Sequence, residues 1–369
     1  MGIGAGSTRH SHPMHGPQRK SLREDPYKLF PVQRKIADDI SQAALFARAT
    51  GRIELFARST PDEEEPWSAA RQSMTVDEFT DVVSNELARP LLHHLRARGR
   101  FHRPIESMLH RMEEILQEPR DLLFWKTAGA IGLTYRSMTD VGAENVITLV
   151  NAIADEGARL DFASATDPDL ALHSLTWAQD EIVEKAGQNN LPRLIELREG
   201  KPIDLTGVEP WRIGYDRARQ ARAQIGLASD RPVGGLAGIS RLFADNDRFA
   251  PSSAGEDILR GFQGFNKELP VVVVKDEGPC SNAFLASRAI GDYLVYGSHE
   301  APVADIYSDR QAVGRAFAAE FTAPSEGVVH MIDVEQKSRA TVANHYGVRR
   351  SVINHQYENS VARYADQTT

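Results

Sequence analysis

The chain has 369 residues, of which 41% are hydrophobic and 25% are charged, a balance typical of a folded protein large enough for two domains. Its net charge of −8 argues against a protein whose whole surface holds nucleic acid, but leaves room for a local basic patch. The single cysteine, Cys280, excludes an internal disulfide and indicates a reducing compartment. Neither a membrane-spanning run nor a signal-peptide core is visible, so we expect a cytoplasmic protein with no membrane partner.

The first part of the chain divides into a polar tail and a helical region. Residues 1–30 are polar and lack hydrophobic periodicity, which predicts a disordered tail. From residue 31 to residue 205 the apolar residues recur at helical spacing, which predicts an α-helical N-terminal domain. One helix is predicted over 32–51, where a glycine ends the apolar stripe. Another is predicted to begin at Thr75, a capping residue, and to break at Pro90.

Two features of this helical region resemble functional sites. His102, Glu106 and His110 are four residues apart and would line up as metal ligands on a continuous helix. Because Pro104 interrupts that helix and no fourth ligand follows, we interpret the three residues as structural. The run over 93–103 is strongly basic, and we interpret it as a solvated face or a site for an acidic partner in preference to a phosphate site.

A loop rich in glycine and proline predicts a domain boundary between residues 205 and 206. A helix is predicted over 211–226. Four consecutive valines at 271–274 then predict a buried β-strand, because β-branched residues favour strands and the run is short. After a turn, Ser281 or Asn282 is predicted to cap the next helix.

Two further helices carry small residues beside polar ones. The first contains Gly291 with Arg288 and Asp292 on one face. The second is predicted from Asp309 to Pro324, and one of its faces carries Gln311, Gly314, Arg315 and Ala318. Because small residues let helices approach closely, we expect these two faces to meet and to bring Arg288, Asp292 and Gln311 together.

The C-terminal segment, residues 331–369, is predicted to be helical and fits a helix-turn-helix template. Ala343, Gly347, Val348 and Ile353 occupy the positions of the small residue, the turn and two core contacts. Basic residues without acidic ones lie between 337 and 355, and the candidates for nucleic-acid contact are Arg339, Arg349 and Arg350. Packing explains the same pattern, and the net negative charge of the chain favours that interpretation.

The sequence of these elements resembles the ImmA/IrrE family of bacterial metallopeptidase-like proteins. In that family the first helix reads F-x-x-A-H-E-x-G-H and the second reads E-x-x-A-N-x-F-A followed by five residues and proline. The resemblance covers about 211–359 and retains the framework residues Phe284, Gly291, Phe317, Ala318 and Pro324. It implies a zincin-like ImmA/IrrE-type domain with a small β-sheet over 206–330. Together with the helical N-terminal domain that the periodicity predicts, this gives a mainly helical α+β fold.

The same resemblance places a substitution at every position that performs chemistry. Arg288 and Asp292 stand where the family has its two zinc-binding histidines, Ala289 replaces the general base, and Gln311 replaces the third, acidic ligand. Arginine has no lone pair for Zn²⁺, and alanine cannot accept a proton from water. The resemblance therefore implies a degenerate site with no metal and no cofactor. Zinc would be a cofactor only if other residues of the chain were its ligands.

Three interpretations of the degenerate site stay open. The first is a buried ion pair between Arg288 and Asp292, which are spaced i, i+4, with Gln311 bonded to either one. The second is a pocket for a carboxylate or phosphate of a ligand or partner, lined by Arg288, Asp292, Gln311 and Arg315. The third is a new hydrolytic site that uses Asp292.

Three functions stay open, and we favour the first, which follows from the resemblance. It is a regulatory or binding protein on a catalytically degenerate scaffold, within a bacterial stress, phage or mobile-element switch, whose partner is a protein such as a repressor or a toxin–antitoxin component. The second is an active zinc-dependent metallo-endopeptidase that cleaves a repressor. The third is a transcriptional regulator that binds DNA through the C-terminal helices.

Overall fold

The chain divides into two compact units, residues 1–46 with 55–72 and residues 47–54 with 73–369. The predicted tail and the predicted boundary between residues 205 and 206 lie outside the described residues, and the three domain limits stay predictions. The computed structural model describes residues 43–47, 52–57, 71–134, 137–198, 208–244, 248–253 and 259–367.

Three short strands come first in the described chain. They are β1 (Ala43–Ala47), β2 (Arg52–Ala57) and β3 (Arg71–Thr75), and they form a sheet in that order. The helix predicted over 32–51 is therefore wrong at Ala43–Ala47, while residues 32–42 lie outside the described residues. Pairing with β2 stabilises a strand here more than the helical spacing of the apolar residues stabilises a helix.

Helices follow in the first half of the described chain. Among all the described helices, none is both long and apolar enough to cross a membrane. The helical chain that follows Thr75 does not break at Pro90, because the π-helical segment Val82–Ala88 runs directly into the α-helix Arg89–Ala97, and Ala88 and Arg89 both keep right-handed helical φ and ψ. The elements are α1 (Val76–Asp81), a π-helical segment (Val82–Ala88), α2 (Arg89–Ala97), α3 (Arg103–Gln117), α4 (Pro119–Ala130), α5 (Asp140–Ala152), α6 (Glu156–Ala165), α7 (Ala171–Asn189) and α8 (Arg193–Arg198).

The second half contains a small sheet among helices, which confirms the predicted α+β, mainly α fold. The predicted valine strand and both predicted site helices are present. The elements are α9 (Pro210–Gln224), α10 (Gly235–Phe243), β4 (Gly261–Asn266), β5 (Leu269–Val274), α11 (Pro279–Tyr296), β6 (Ala301–Val303), α12 (Asp309–Thr322), α13 (Ser325–Val329), a second π-helical segment (His330–Val334), α14 (Arg339–Tyr346) and α15 (Arg350–Gln367).

The predicted cap of α11 is wrong, because the helix begins three residues earlier. Gly278 is the capping residue and Pro279 occupies the first helical position, for which its fixed φ is suited. The side chain of Asn282 lies within the first turns, where its Oδ1 accepts a hydrogen bond from the backbone N–H of Glu277 at 2.8 Å. It therefore ties the turn to the helix without capping the helix.

The second sheet has the order β5-β4-β6 and is antiparallel throughout. Successive valines of β5 point to opposite faces, as the pleat of a strand requires. Val271 and Val273 pack with Phe262 into a core built with helices α5, α6 and α7. Val272 and Val274 pack into a second core with α9, α10, α11 and α12. The sheet therefore lies between two helical layers, and this explains why four consecutive residues of β5 are apolar.

Helices α11 and α12 approach closely, which confirms the prediction made from their small residues. A Cβ atom added to Gly291 would lie 2.4 Å from Cγ of Phe317. On the facing helix, a Cβ atom added to Gly314 would lie 3.4 Å from the carbonyl oxygen of Arg288. The absence of a side chain at Gly291 is what permits this crossing, and the crossing aligns the polar residues of the two helices.

The C-terminal helices have a small core of their own. Ala343, Val348 and Ile353 are buried there with Met331, and Gly347 ends α14 with a left-handed φ of 68°. The predicted small residue, turn and core contacts are therefore confirmed. This core packing is compatible with a structural role and with a DNA-binding role alike.

Candidate functional site

A buried polar network lies where α11 faces α12, and it extends to α6. It contains Arg288 and Asp292 of α11, Arg310 and Gln311 of α12, and Asp161 of α6. The exposed fractions of these residues lie between 2% and 7%. Since burying a charge without a partner costs several kcal/mol, on the order of the stability of a whole domain, each charge here must be paired.

The centre of the network is a two-point ion pair between Arg310 and Asp292. Nε of Arg310 lies 2.5 Å from Oδ1 of Asp292, and Nη2 lies 2.6 Å from Oδ2. The same guanidinium donates to Oδ1 of Asp155 at 2.5 Å and to Oγ of Ser298 at 2.8 Å, and it lies 4.6 Å from the ring centroid of Tyr296. Burial alone would lower the pKa of Arg310, but Asp292 and Asp155 raise it above its ordinary value. Arg310 is therefore a permanent cation held by two carboxylates.

The ion pair predicted between Arg288 and Asp292 is wrong. Asp292 is bound by Arg310, whereas Arg288 lies 3.3 Å from Oδ1 of Asp305 through its Nη1. Because the small residues bring α12 close, Arg310 reaches both oxygens of Asp292 in the parallel geometry that arginine and carboxylate prefer. A partner four residues away on the same helix is displaced by this better geometry.

Arg288 instead joins α11 to the loop before α12. Its Nη2 donates to the carbonyl oxygen of Ala304 at 2.5 Å and to Oε1 of Gln311 at 2.8 Å. Nε of Arg288 is buried and has no hydrogen-bond partner within the described residues. Burial lowers the pKa of Arg288 to about 10, and the nearby charge of Arg315 adds to the decrease. The guanidinium is thus less well paired than that of Arg310.

Gln311 uses both its oxygen and its nitrogen inside the network. Its Oε1 accepts a hydrogen bond from Arg288, which confirms the prediction that these two residues meet. Besides accepting from Arg288, the amide donates through Nε2 to Oδ2 of Asp161 at 2.9 Å and to the carbonyl oxygen of Pro302 at 2.8 Å. Ser308, which caps α12, donates to the same Asp161 oxygen at 2.8 Å. These bonds fix the start of α12 against α6.

Burial raises the pKa of Asp292, an increase that Arg310 opposes, and it also raises the pKa of Asp161. Burial raises the pKa of Asp161 to about 6 from an ordinary value of 3.8, and the hydrogen bonds from Gln311 and Ser308 oppose that increase. Between these two values the folded chain holds a proton that the unfolded chain has lost. The free energy of unfolding therefore falls as the pH rises through this window.

We expect the variant Asp161→Asn to remove this part of the pH dependence. Asparagine keeps an oxygen for Gln311 and Ser308 but does not titrate, so between pH 4 and pH 7 wild type should lose about 2 to 3 kcal/mol more than the variant. Urea unfolding of both proteins across this range measures the difference. Parallel pH curves for the two proteins would contradict the assignment.

One edge of the network reaches the surface. Asp305 has a side chain that is 64% exposed, and both of its oxygens accept hydrogen bonds from Nη1 of Arg260 at 2.8 Å. Beside it, Arg315 donates to the carbonyl oxygen of Ile306 at 3.0 Å and lies 5.9 Å from the ring of Tyr307, which is 60% exposed. No carboxylate lies within ion-pairing distance of Arg315 in the described parts of the chain. We call Arg260, Asp305, Tyr307 and Arg315 the rim.

The predicted site residues thus divide into three groups. Arg288, Asp292 and Gln311 meet in the buried network, while Arg315 lies in the rim. Ala289 is fully buried in the apolar core, where its small side chain packs against α9, α10 and α12.

Several residues of the site were missed from the sequence. Arg310 directly precedes Gln311, and a search for the partners of Asp292 on the second helix would have found it, whereas Asp305 lies in the loop before α12 and no pattern in the sequence singles it out. Asp155 and Asp161 belong to a region that we assigned to another domain, and nothing in their local sequence indicates contact with α12.

The residues at the family's metal positions do not fit a zinc ion. Both oxygens of Asp292 accept hydrogen bonds from Arg310, and Oε1 of Gln311 accepts from Arg288. Arg288 offers no lone pair, and zinc needs three or four nitrogen, sulfur or carboxylate donors around one point. Among the residues that the structure describes, no group of three or more histidine, cysteine, aspartate or glutamate side chains could hold a metal ion.

The other histidine pattern of the sequence also has separate partners. His102 accepts a hydrogen bond as the cap of α3, Glu106 binds Arg96 at 2.6 Å, and Nε2 of His110 lies 3.2 Å from Glu114. The three predicted residues therefore each have a structural contact of their own.

The candidates for nucleic-acid contact differ in their surroundings. Arg349 and Arg350 are exposed at the start of α15. Arg339 is half-buried, donates to Oδ1 of Asn354 at 3.1 Å and lies 4.9 Å from the ring centroid of Tyr357. Arg339 therefore contributes to packing between α14 and α15, and only the other two face solvent freely.

Comparison with known proteins adds no relative. No protein-family model matches the chain, and no curated protein matches it at a significant level. The geometry of the network and the resemblance of the two site helices to the ImmA/IrrE motifs are therefore the grounds for proposing a function.

Proposed function

We propose that this chain is a cytoplasmic regulatory or binding protein, built on an ImmA/IrrE-type metallopeptidase scaffold that does not hydrolyse peptide bonds. The observation that carries the proposal is the pair between Arg310 and Asp292. Asp292 stands at the position of the second zinc-binding histidine, and two donors of one guanidinium bind its oxygens at 2.5 and 2.6 Å. A cation already occupies the place that the charge of a metal would take.

The remaining site positions support the same proposal. Hydrolysis needs an activated water and a group that accepts its proton. Ala289 has no such group, and Arg288 adds a second fixed positive charge beside the first. The polar residues of the buried network bind one another, and none of them stands at the position of the general base.

The rim is the part of the site that a partner can reach. Asp305 and Tyr307 are more than half exposed, and Arg315 has a backbone carbonyl as its hydrogen-bond acceptor. An acidic side chain of a protein partner would pair with Arg315 and pack against the ring of Tyr307. We therefore propose a protein partner with an acidic contact segment, such as a repressor or a toxin–antitoxin component of a bacterial stress, phage or mobile-element switch.

The first test of this function is the zinc content of the purified full chain. After incubation with excess zinc and dialysis, we expect far less than one equivalent to remain, measured by mass spectrometry of the metal. One tightly held zinc per chain, or zinc-dependent cleavage of a captured partner, would support the metallo-endopeptidase alternative and contradict the proposal.

The second part of the test concerns the rim. A partner captured from the native host should be lost when Tyr307→Ala and Arg315→Ala are combined, because both contacts are removed. The matched control combines Arg349→Ala with Arg350→Ala, two exposed changes at the C-terminal helices, and should retain the partner. Loss of the partner in the control alone would instead favour a contact through the C-terminal helices.

A further inference from the structure

The turn between α2 and α3 carries seven basic side chains and no acidic one. Residues 93–103 read HHLRARGRFHR, with four arginines and three histidines in eleven positions. All seven of these basic side chains are exposed. In a chain of net charge −8, this turn is a positive region on a negative protein.

The backbone of the turn is tightly closed. Gly99 has a left-handed φ of 68°, and the N–H of Arg100 donates to the carbonyl oxygen of Leu95 at 2.8 Å. The ring of His102 then caps α3. Because the chain reverses within so few residues, Arg98 and Arg103 lie at the same end of the helix pair. The charges are thus concentrated at one end of the pair.

The protein itself does not neutralise most of these charges. Arg96 forms an ion pair with Glu106 at 2.6 Å. Arg98, Arg100 and Arg103 have no side-chain partner in the part of the chain that the structure describes. Like charges held close together repel, and an anionic ligand would remove that repulsion. The three arginines are therefore available to bind an anion.

An exposed aromatic ring lies among these arginines. Phe101 is 77% exposed, between Arg100 and His102 in the sequence. A phenylalanine so exposed contributes little to folding, but its face can stack on an unpaired base. Guanidinium groups bind phosphates at two points, which ammonium groups cannot do.

We propose that the α2–α3 turn binds single-stranded nucleic acid, with Phe101 stacked on a base and Arg98, Arg100 and Arg103 on the phosphates. Single strands are favoured over duplexes because a duplex hides the base faces that the ring would contact. They are favoured over the acidic partner that the sequence alone suggested, and over an anionic bilayer, because each nucleotide supplies both a flat base for the ring and a phosphate for a guanidinium group.

The test uses the full chain and a fluorescently labelled oligothymidine of about 20 nucleotides, with binding read by fluorescence anisotropy at several salt concentrations. Combining Arg98→Ala with Arg100→Ala should weaken binding by at least about tenfold at low salt and reduce the slope of log K against log salt by about 1.4, since each phosphate contact contributes about 0.7. The matched control, Arg120→Ala with Arg231→Ala, removes the same charge at two exposed positions outside this turn and outside the C-terminal helices, and should change neither value.

The contribution of the ring is tested separately. Phe101→Ala should weaken binding by about 5- to 150-fold, as expected for the loss of one stacked base contact. The salt slope should stay unchanged, because no phosphate contact is removed. Phe101→Trp should keep the affinity, and Phe101→Leu should behave like the alanine variant. All of these positions are exposed, and unchanged thermal unfolding will verify that the variants are folded.

Four outcomes would overturn the proposal. The first is no binding of wild type to the oligonucleotide at low salt, and the second is equal weakening by the two double variants, which would indicate a response to total charge. The third is full affinity in Phe101→Leu, which would indicate a hydrophobic contact such as a lipid surface. The fourth is binding to anionic vesicles or an acidic peptide, but not to the oligonucleotide.

Discussion

Replacing Arg310 with alanine should lower the free energy of unfolding by about 3 to 5 kcal/mol, because it leaves a carboxylate buried without its partner. Asp292 is 6% exposed and would lose the donors at 2.5 and 2.6 Å. Asp155 and Ser298 would lose the same guanidinium. Urea unfolding at pH 7 measures the effect, with the slope of the transition as a check on two-state behaviour.

A double variant distinguishes the loss of a favourable pair from the cost of an isolated charge. Combining Arg310→Met with Asp292→Leu removes both charges and keeps most of the volume, so it should recover the larger part of the lost stability. The exposed control Arg349→Ala should change the free energy of unfolding by less than about 0.5 kcal/mol. If Arg310→Ala costs no more than this control, the pair does not stabilise the fold.

The same geometry changes what Arg288→Ala should do. An ion pair between Arg288 and Asp292 would make this variant leave Asp292 unpaired, but Asp292 is bound by Arg310. Arg288→Ala would leave the neutral acceptors of Ala304 and Gln311, and the carboxylate that it would leave is Asp305, whose side chain is 64% exposed and still bound by Arg260. We therefore expect Arg288→Ala to destabilise the chain less than Arg310→Ala does.

The elements of the fold that could be predicted were those with a local cause. Four valines in a row specify a buried strand, and the spacing of small residues specified which faces of α11 and α12 meet. The strand at Ala43–Ala47 was missed because its apolar residues also fit helical spacing, and it is pairing with β2 that decides between strand and helix. The start of α11 was missed because glycine followed by proline replaced a side-chain cap.

The site was predictable only within one pair of helices. Spacing brought Arg288, Asp292 and Gln311 together, but it could not choose between two arginines for one carboxylate. That choice depends on the distance between the helices and on the direction of approach, which Gly291 and Gly314 set. The contribution of α6 could not be predicted, because no pattern in the sequence records a contact across about 150 positions.

The close crossing that positions these charges should itself be sensitive to one methyl group. We expect Gly291→Ala to lower the free energy of unfolding by about 1 to 3 kcal/mol, the usual cost of overpacking a core. The new Cβ would lie 2.4 Å from Cγ of Phe317. Phe317 is fully buried and stacked on Phe321 at 5.4 Å, so its ring has no free space to enter. Urea unfolding again gives the measurement.

Gly187→Ala provides the matched control, because Gly187 is also in a helix but a Cβ atom there would meet nothing within 4 Å. In that position alanine should raise stability by up to about 1 kcal/mol, since it favours the helix and restricts the unfolded chain. Opposite signs at the two glycines would show that contact with Phe317, and not helix propensity, requires glycine at position 291. If Gly291→Ala were as favourable as the control, the helices could separate without cost, and the pairing of Arg310 with Asp292 would need a cause other than the close crossing.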